Sequence, residues 1–378
     1  MRKLFLFFAF FSLVPSPAPA CSLCGDISKQ TSFAYEFEQA AVVVYGRIAN
    51  PKFEAKPGGA AGSGTTEFHV EKIVKDDPAF PRQKMILLSR YLPILDAKNP
   101  PRYAMFFRSP KQSLEPYWGR EITSPALLEF IAELQRSRSE PVQMLRIAAK
   151  HFDDADAQIA DEAFLIFAKA DDKLIGQAAK QLSPEKLRRL VKKPDLEPER
   201  LSMFAYLLGA CGDKSDAELL RSLLMRKNPA ERNYKAFEGI MAGYITMRPK
   251  EGWAFAHETL KSEKTSFLLR YASLRTMRFF YNAKPQENAE RVLQGLGTAI
   301  THFDIADIAI QDLCKWKRWE HTKLIVTCYD KKSHQSPIVK NSIVRYALAC
   351  PLPEARDLVE RVRRQDPELV RYLEEELK

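Results

Sequence analysis

Two cysteines, Cys21 and Cys24, stand three positions apart near the start of the chain. A Cys-x-x-Cys pair can close a local disulfide, cycle as a redox dithiol, ligate a metal or, at a processed N-terminus, carry a lipid. A redox dithiol needs a lowered thiol pKa, usually supplied by a helix N-terminus behind a strand. No strand precedes this pair. A c-type haem needs histidine after the second cysteine, and residue 25 is glycine. A four-ligand zinc site needs a second pair of like spacing, which the chain lacks. These residues therefore favour a structural disulfide or a lipidated cysteine at Cys21 and Cys24, with redox chemistry and metal binding as the alternatives. Cys211, Cys314, Cys328 and Cys350 stand singly, as buried thiols acting as small hydrophobes do. A Cys314–Cys328 link is the alternative, since the two flank one helical hairpin.

The histidines, His69, His151, His257, His302, His321 and His334, include no i, i+4 pair that would hold a metal on one helix face. His302-Phe303-Asp304 reads as a turn with Asp304 as a helix N-cap. There is no G-x-S-x-G, phosphate loop or H-E-x-x-H. The acidic pairs Asp153-Asp154 and Asp171-Asp172 fall at turns and helix starts, where carboxylates complement the dipole. We therefore expect no catalytic residue, metal or cofactor. Arg270, Arg275 and Arg278 fall within about 140° of arc on one helix, leaving Leu269, Ala272 and Phe279 for packing. Lys315-Trp316-Lys317-Arg318-Trp319 interleaves bases and aromatics, a mix able to stack rings and grip phosphates. Its i, i+3 tryptophans suit one packed face with solvated bases around them. Arg270, Arg275, Arg278, Lys315, Lys317 and Arg318 form the candidate partner-contact surface.

The elements carrying these residues follow from two rhythms. Residues 1–20 read as a secretory signal: Arg2 and Lys3, an apolar run Leu4–Val14 with five phenylalanines, then Ala18-Pro19-Ala20 for cleavage. That run is about half the roughly 20 residues needed to cross a bilayer, and no later stretch is as long. Cleavage would expose Cys21. Ala18 and Pro19 fit a lipoprotein signal poorly, so simple release is favoured over an anchor. Residues 21–122 read as β, with candidate strands Ala41–Ile48, Thr66–Val74, Met85–Ser89 and Tyr103–Phe107 broken by prolines. About five short strands in some 90 residues suit a small barrel such as an OB-fold. Residues 123–378 read as helices, entered at Ser124-Pro125, Ser183-Pro184 and Ser336-Pro337. Ala163, Ala205, Ala236, Ala272, Ala309 and Ala347 recur every 31 to 42 residues, one helical hairpin per unit of an α-solenoid.

Cys21-Ser22-Leu23-Cys24, Ala40–Arg47, Phe68–Lys75 and Tyr103–Phe107 resemble the netrin-like, TIMP-like OB domains of exported bacterial proteins. Leu269–Arg275, Asp304–Ala309 and Pro337–Leu348 resemble HEAT repeats. The two halves together resemble a group of exported planctomycete proteins. The resemblance implies an α+β multidomain chain, a small OB-like β-barrel followed by an α-solenoid of HEAT-like hairpins. It also implies a protease-inhibitor role through the mature N-terminus. Yet TIMP cysteines pair within their own domain, and here none lies between Cys24 and Cys211.

With 46% hydrophobic and 28% charged residues the chain is a folded one. Its net charge is +10, of which the leader carries 2, and that surplus favours anionic partners. The expected function is a non-catalytic binding or scaffold protein of the periplasm or exterior. Its partner would be a protein or an anionic envelope component, not nucleic acid. An envelope thiol-disulfide protein and a protease inhibitor are the alternatives.

Overall fold

The computed structural model describes residues 21, 23, 27, 29–54, 64–109, 114–225 and 234–377. The leader and Cys24 lie outside them. A five-stranded antiparallel sheet comes first: β1 (Val42–Phe53), β2 (Gly64–Lys75), β3 (Met85–Leu88), β4 (Arg102–Arg108) and β5 (Glu115–Glu121), in the order β3-β2-β1-β4-β5. β-Branched Val42, Val43 and Val44 place β1 at its centre, buried on both faces. Val42, Val44, Phe68, Met105 and Phe107 point to one side, where Phe80 caps them. Val43, Tyr45, Ala104 and Phe106 point to the other and merge with the helical core. This is the period-two alternation of a strand. β1 and β2 also approach closely at Gly46, where a Cβ would lie 2.0 Å from the His69 carbonyl oxygen.

Three expectations need correction. The sheet is open, not a closed barrel: β3 and β5 are edges, and they cannot pair while loop residues fill one face and helices cover the other. The stretch 21–122, read as β, holds a helix before its first strand, α1 (Phe33–Gln39), which the Ser32 hydroxyl caps by accepting from the Tyr35 N–H. The unread strand β5 carries Pro116 and Gly119, which an edge strand tolerates.

Sixteen more described helices follow. The first eight are α2 (Ala126–Arg136), α3 (Pro141–Ala149), α4 (Ala157–Lys169), α5 (Asp172–Ala179), α6 (Pro184–Val191), α7 (Pro198–Cys211), α8 (Lys214–Leu224) and α9 (Tyr234–Met247). The remainder are α10 (Pro249–Lys261), α11 (Phe267–Ala283), α12 (Pro285–Ile300), α13 (Ala306–Lys315), α14 (Thr322–Cys328), α15 (Pro337–Ala349), α16 (Pro353–Gln365) and α17 (Pro367–Glu376). Eight of these begin with proline, whose missing N–H costs nothing in a first turn. The recurring alanines fall on α4, α7, α9, α11, α13 and α15, all buried. α7 packs on α9, α9 on α11 and α13 on α15. α5 touches both α7 and α11, so the array curls where these helices meet.

α7 and α9 cross with backbones nearly touching. A Cβ on Gly209 would lie 2.3 Å from the Gly243 Cα, and one on Gly239 only 2.0 Å from the Ser202 carbonyl oxygen. Backbone cannot yield as a side chain can. Gly239→Ala should therefore cost roughly 1–3 kcal/mol or more in urea unfolding. Gly119→Ala, whose nearest new contact is 3.8 Å away, is the control expected to change little.

Candidate binding groove

The first cluster of functional side chains is an ion-pair ladder. Arg200 on α7 pairs with Asp161 on α4, Lys235 on α9 with Glu199 on α7, and Arg275 on α11 with Glu238 on α9 at 2.8 Å. Arg278 holds Asp312 of α13 through paired hydrogen bonds of about 3.0 Å, and buried Arg270 holds Asp304. Partners lie 34 to 39 residues apart, which is the repeat spacing. The stripe Arg270, Arg275 and Arg278 thus zips α11 to its neighbours on both sides. Asp304 is not the N-cap of α13, which is Ile305, because Asp304 turns to Arg270.

Several ladder residues line a polar cleft of about 610 Å³ between α4, α7, α9, α11 and the segment holding Leu23 and Ile27. Cys21 and Leu23 are buried, and Ser202 donates to the Leu23 carbonyl at 3.1 Å. Behind Arg120, which lines the cleft, Glu162 of α4 is fully buried and accepts from Ser32 Oγ, from the Phe33 and Ala34 N–H groups and from Arg120 of β5. Glu238 is pushed up to about 8 by burial, which outweighs the opposite pull of Arg275.

Cys21 is disulfide-bonded. Cys211, Cys314, Cys328 and Cys350 are free, so no Cys314–Cys328 link forms. Burial pushes the Cys211 thiol up to about 11 and raises Cys314 and Cys328, which keeps them poor nucleophiles. Lys315 and Lys317 are exposed at the end of α13, and Arg318 pairs with Glu320. Trp316 stacks on Tyr281 with centroids 3.8 Å apart, and Trp319 meets Tyr346 edge-on. His334 is buried, with Nε2 bonded to the Ile300 carbonyl. Among the described residues no group of three or more His, Cys, Asp or Glu could hold a metal ion. No described helix is long and apolar enough to cross a membrane.

Sequence reasoning missed a groove of about 830 Å³ on the side where α5 faces α10, α11 and α12. Its wall is a run of touching rings: Tyr206 on Phe279 at 4.5 Å, Phe279 on Phe280 at 5.4 Å, and Phe280 on Trp253 at 5.3 Å. Lys173 on α5, Lys180 at its C-cap and Arg291 on α12 stand exposed at its rim and make no ion pair among the described residues. Gly176 opens the α5 face between the two lysines, where a Cβ would come within 3.3 Å of the Tyr206 hydroxyl. The spacing Lys173, Gly176, Lys180 (i, i+3, i+7) was the one available sequence signal.

No family model and no curated protein matches the chain. Among solved structures, human deoxyhypusine hydroxylase in complex with glycerol is similar at 15% identity, covering 66% of this chain and 88% of that one. Its TM-score of 0.27 is too low to assign a fold.

Proposed function

We propose that the chain is an exported, non-catalytic binding protein, in which an OB-derived, netrin-like sheet unit is joined to HEAT-like helical repeats that present the α5–α12 groove to a partner. The observation carrying this is the groove's composition. It combines a continuous aromatic wall with cations that the ion-pair ladder does not consume, the mix of apolar surface and few placed polar groups found in ligand sites. The ladder supports the same reading, because a mutually paired inner layer is suited to holding a surface rigid. Export is supported by the leader's composition and by the disulfide at Cys21. The burial of Cys21 favours a structural bond over a redox or inhibitory terminus.

The test is a thermal-shift screen of small organic anions, cations and neutral compounds against the full chain and Gly176→Trp, which fills the groove. Hits confined to the wild type and recovered chemically unchanged are expected. Hits indifferent to Gly176→Trp, or compounds recovered as products, would overturn the reading.

A further inference from the structure

We infer that the α5–α12 groove binds a single-chain anionic amphiphile of the long-chain carboxylate class, its chain along the Phe279–Phe280–Trp253 wall and its head group between the Tyr206 hydroxyl, Lys173 and Lys180. This rests on the binding reading above.

Tyr206 carries the first part of the inference. Only 6% of its surface is exposed, it lines the groove, and its hydroxyl is the atom that a Cβ on Gly176 would meet at 3.3 Å. A phenol hydroxyl that lines a cavity is a donor for an acceptor held there. Burial and then nearby Asp172 raise this phenol well above its ordinary value. The hydroxyl therefore keeps its proton and donates.

Charge complementarity carries the second part. Lys173 and Lys180 flank Gly176 on the same face of α5, and Gly176 is the residue against the Tyr206 hydroxyl. One neutral donor lining the groove between two exposed cations suits a carboxylate. Glu287, the one carboxylate in the lining, is bound to Lys284 at 2.7 Å, and Asp172, though near Tyr206, is buried outside the lining, so Lys173, Lys180 and Arg291 leave the groove surface positive.

Away from the exposed rim, where Gln177 and Gln181 stand beside the lysines, the shortage of free polar groups decides the occupant. Thr246 donates back into its own helix, and Asn288 donates to the Phe280 and Lys284 carbonyls. A peptide laid in this groove would bring a polar N–H and C=O at every residue and find few partners for them. A hydrocarbon chain needs none, and the volume lies within the range that encloses small molecules.

The experiment titrates the full chain below micelle formation with dodecanoate, dodecanol and dodecyltrimethylammonium, followed by calorimetry. Dodecanoate should bind tightest. Lys173→Glu with Lys180→Glu, two exposed positions that leave folding intact, should weaken dodecanoate by roughly tenfold or more and leave dodecanol unchanged. Tyr206→Phe, which keeps the ring packing, should weaken dodecanoate about tenfold. Dodecanol or the cationic amphiphile binding as tightly as dodecanoate would overturn the inference, as would a Lys173/Lys180 variant of undiminished affinity. An acidic amphipathic peptide that binds where dodecanoate does not would overturn the ligand class and leave the groove reading standing. Failure of both this series and the Gly176→Trp screen would remove that reading as well.

Discussion

Glu162→Ala should lower the free energy of unfolding by about 3–5 kcal/mol, the range for removing one partner of a buried charge pair. The expectation follows from what converges on this one carboxylate. Phe33 and Ala34 supply the first N–H groups of α1, donors that no turn of the helix can satisfy. Glu162 accepts both at 2.9 Å and also takes the Ser32 hydroxyl at 2.6 Å and the Arg120 guanidinium at 3.1 Å. A single side chain on α4 therefore fastens α1 and edge strand β5 to the helical array. Alanine would leave two buried amides and an arginine without an acceptor. Glu162→Gln keeps the shape but turns an amide donor toward other donors, so an intermediate loss is expected. Ser32→Ala removes one contact and a cap, and should cost only about 1 kcal/mol. Urea unfolding of the three variants orders them. A loss below that of Ser32→Ala would mean that the sheet is held by apolar contact alone.

What the sequence disclosed and what it hid divide along a physical line. β1 was legible from its β-branched run, β2 from its alternation and β4 from a short apolar run, Tyr103–Phe107, and all three signals are local. The six alanines were legible because close helix packing demands a small residue at the same place in each unit. α1 was not, since its seven residues sit among strands and its start depends on Ser32 and on Glu162, 130 positions away. Nor was β5, whose Pro116, Gly119 and charged residues describe an edge and not a core strand. The arginines of α11 read as a surface stripe because a helical wheel has no neighbours. Their acidic partners appear only when residues one repeat apart are laid side by side. The groove is the extreme case. Tyr206, Trp253, Phe279 and Lys173 belong to four different helices, and no spacing within any one of them marks the cavity.

Stability should fall as pH rises from about 5 to about 8, and Glu238→Gln should flatten much of that slope. Two influences compete at Glu238. Arg275 at 2.8 Å, and Arg278 on the same helix, favour the carboxylate. Burial opposes ionisation, Glu199 on α7 adds to it, and burial is the largest of these influences, so the group is pushed up to about 8 from its ordinary 4.5. In the unfolded chain the carboxyl ionises near 4.5, and in the folded chain it keeps its proton until about 8. Between those values the folded state binds more protons than the unfolded one. The unfolding free energy therefore falls with pH, by at most about 1.4 kcal/mol per unit and a few kcal/mol in all. Below the window the contribution is constant, and above it no further loss accrues. Glutamine cannot ionise, so the variant should gain on the wild type as pH rises, and subtracting the two curves removes the histidines that titrate in the same range. The ladder makes the outcome informative. If Arg275 instead held Glu238 ionised throughout, its folded pKa would lie below 4.5, the difference curve would be flat from pH 5 to 8, and the variant would be the weaker protein across that range.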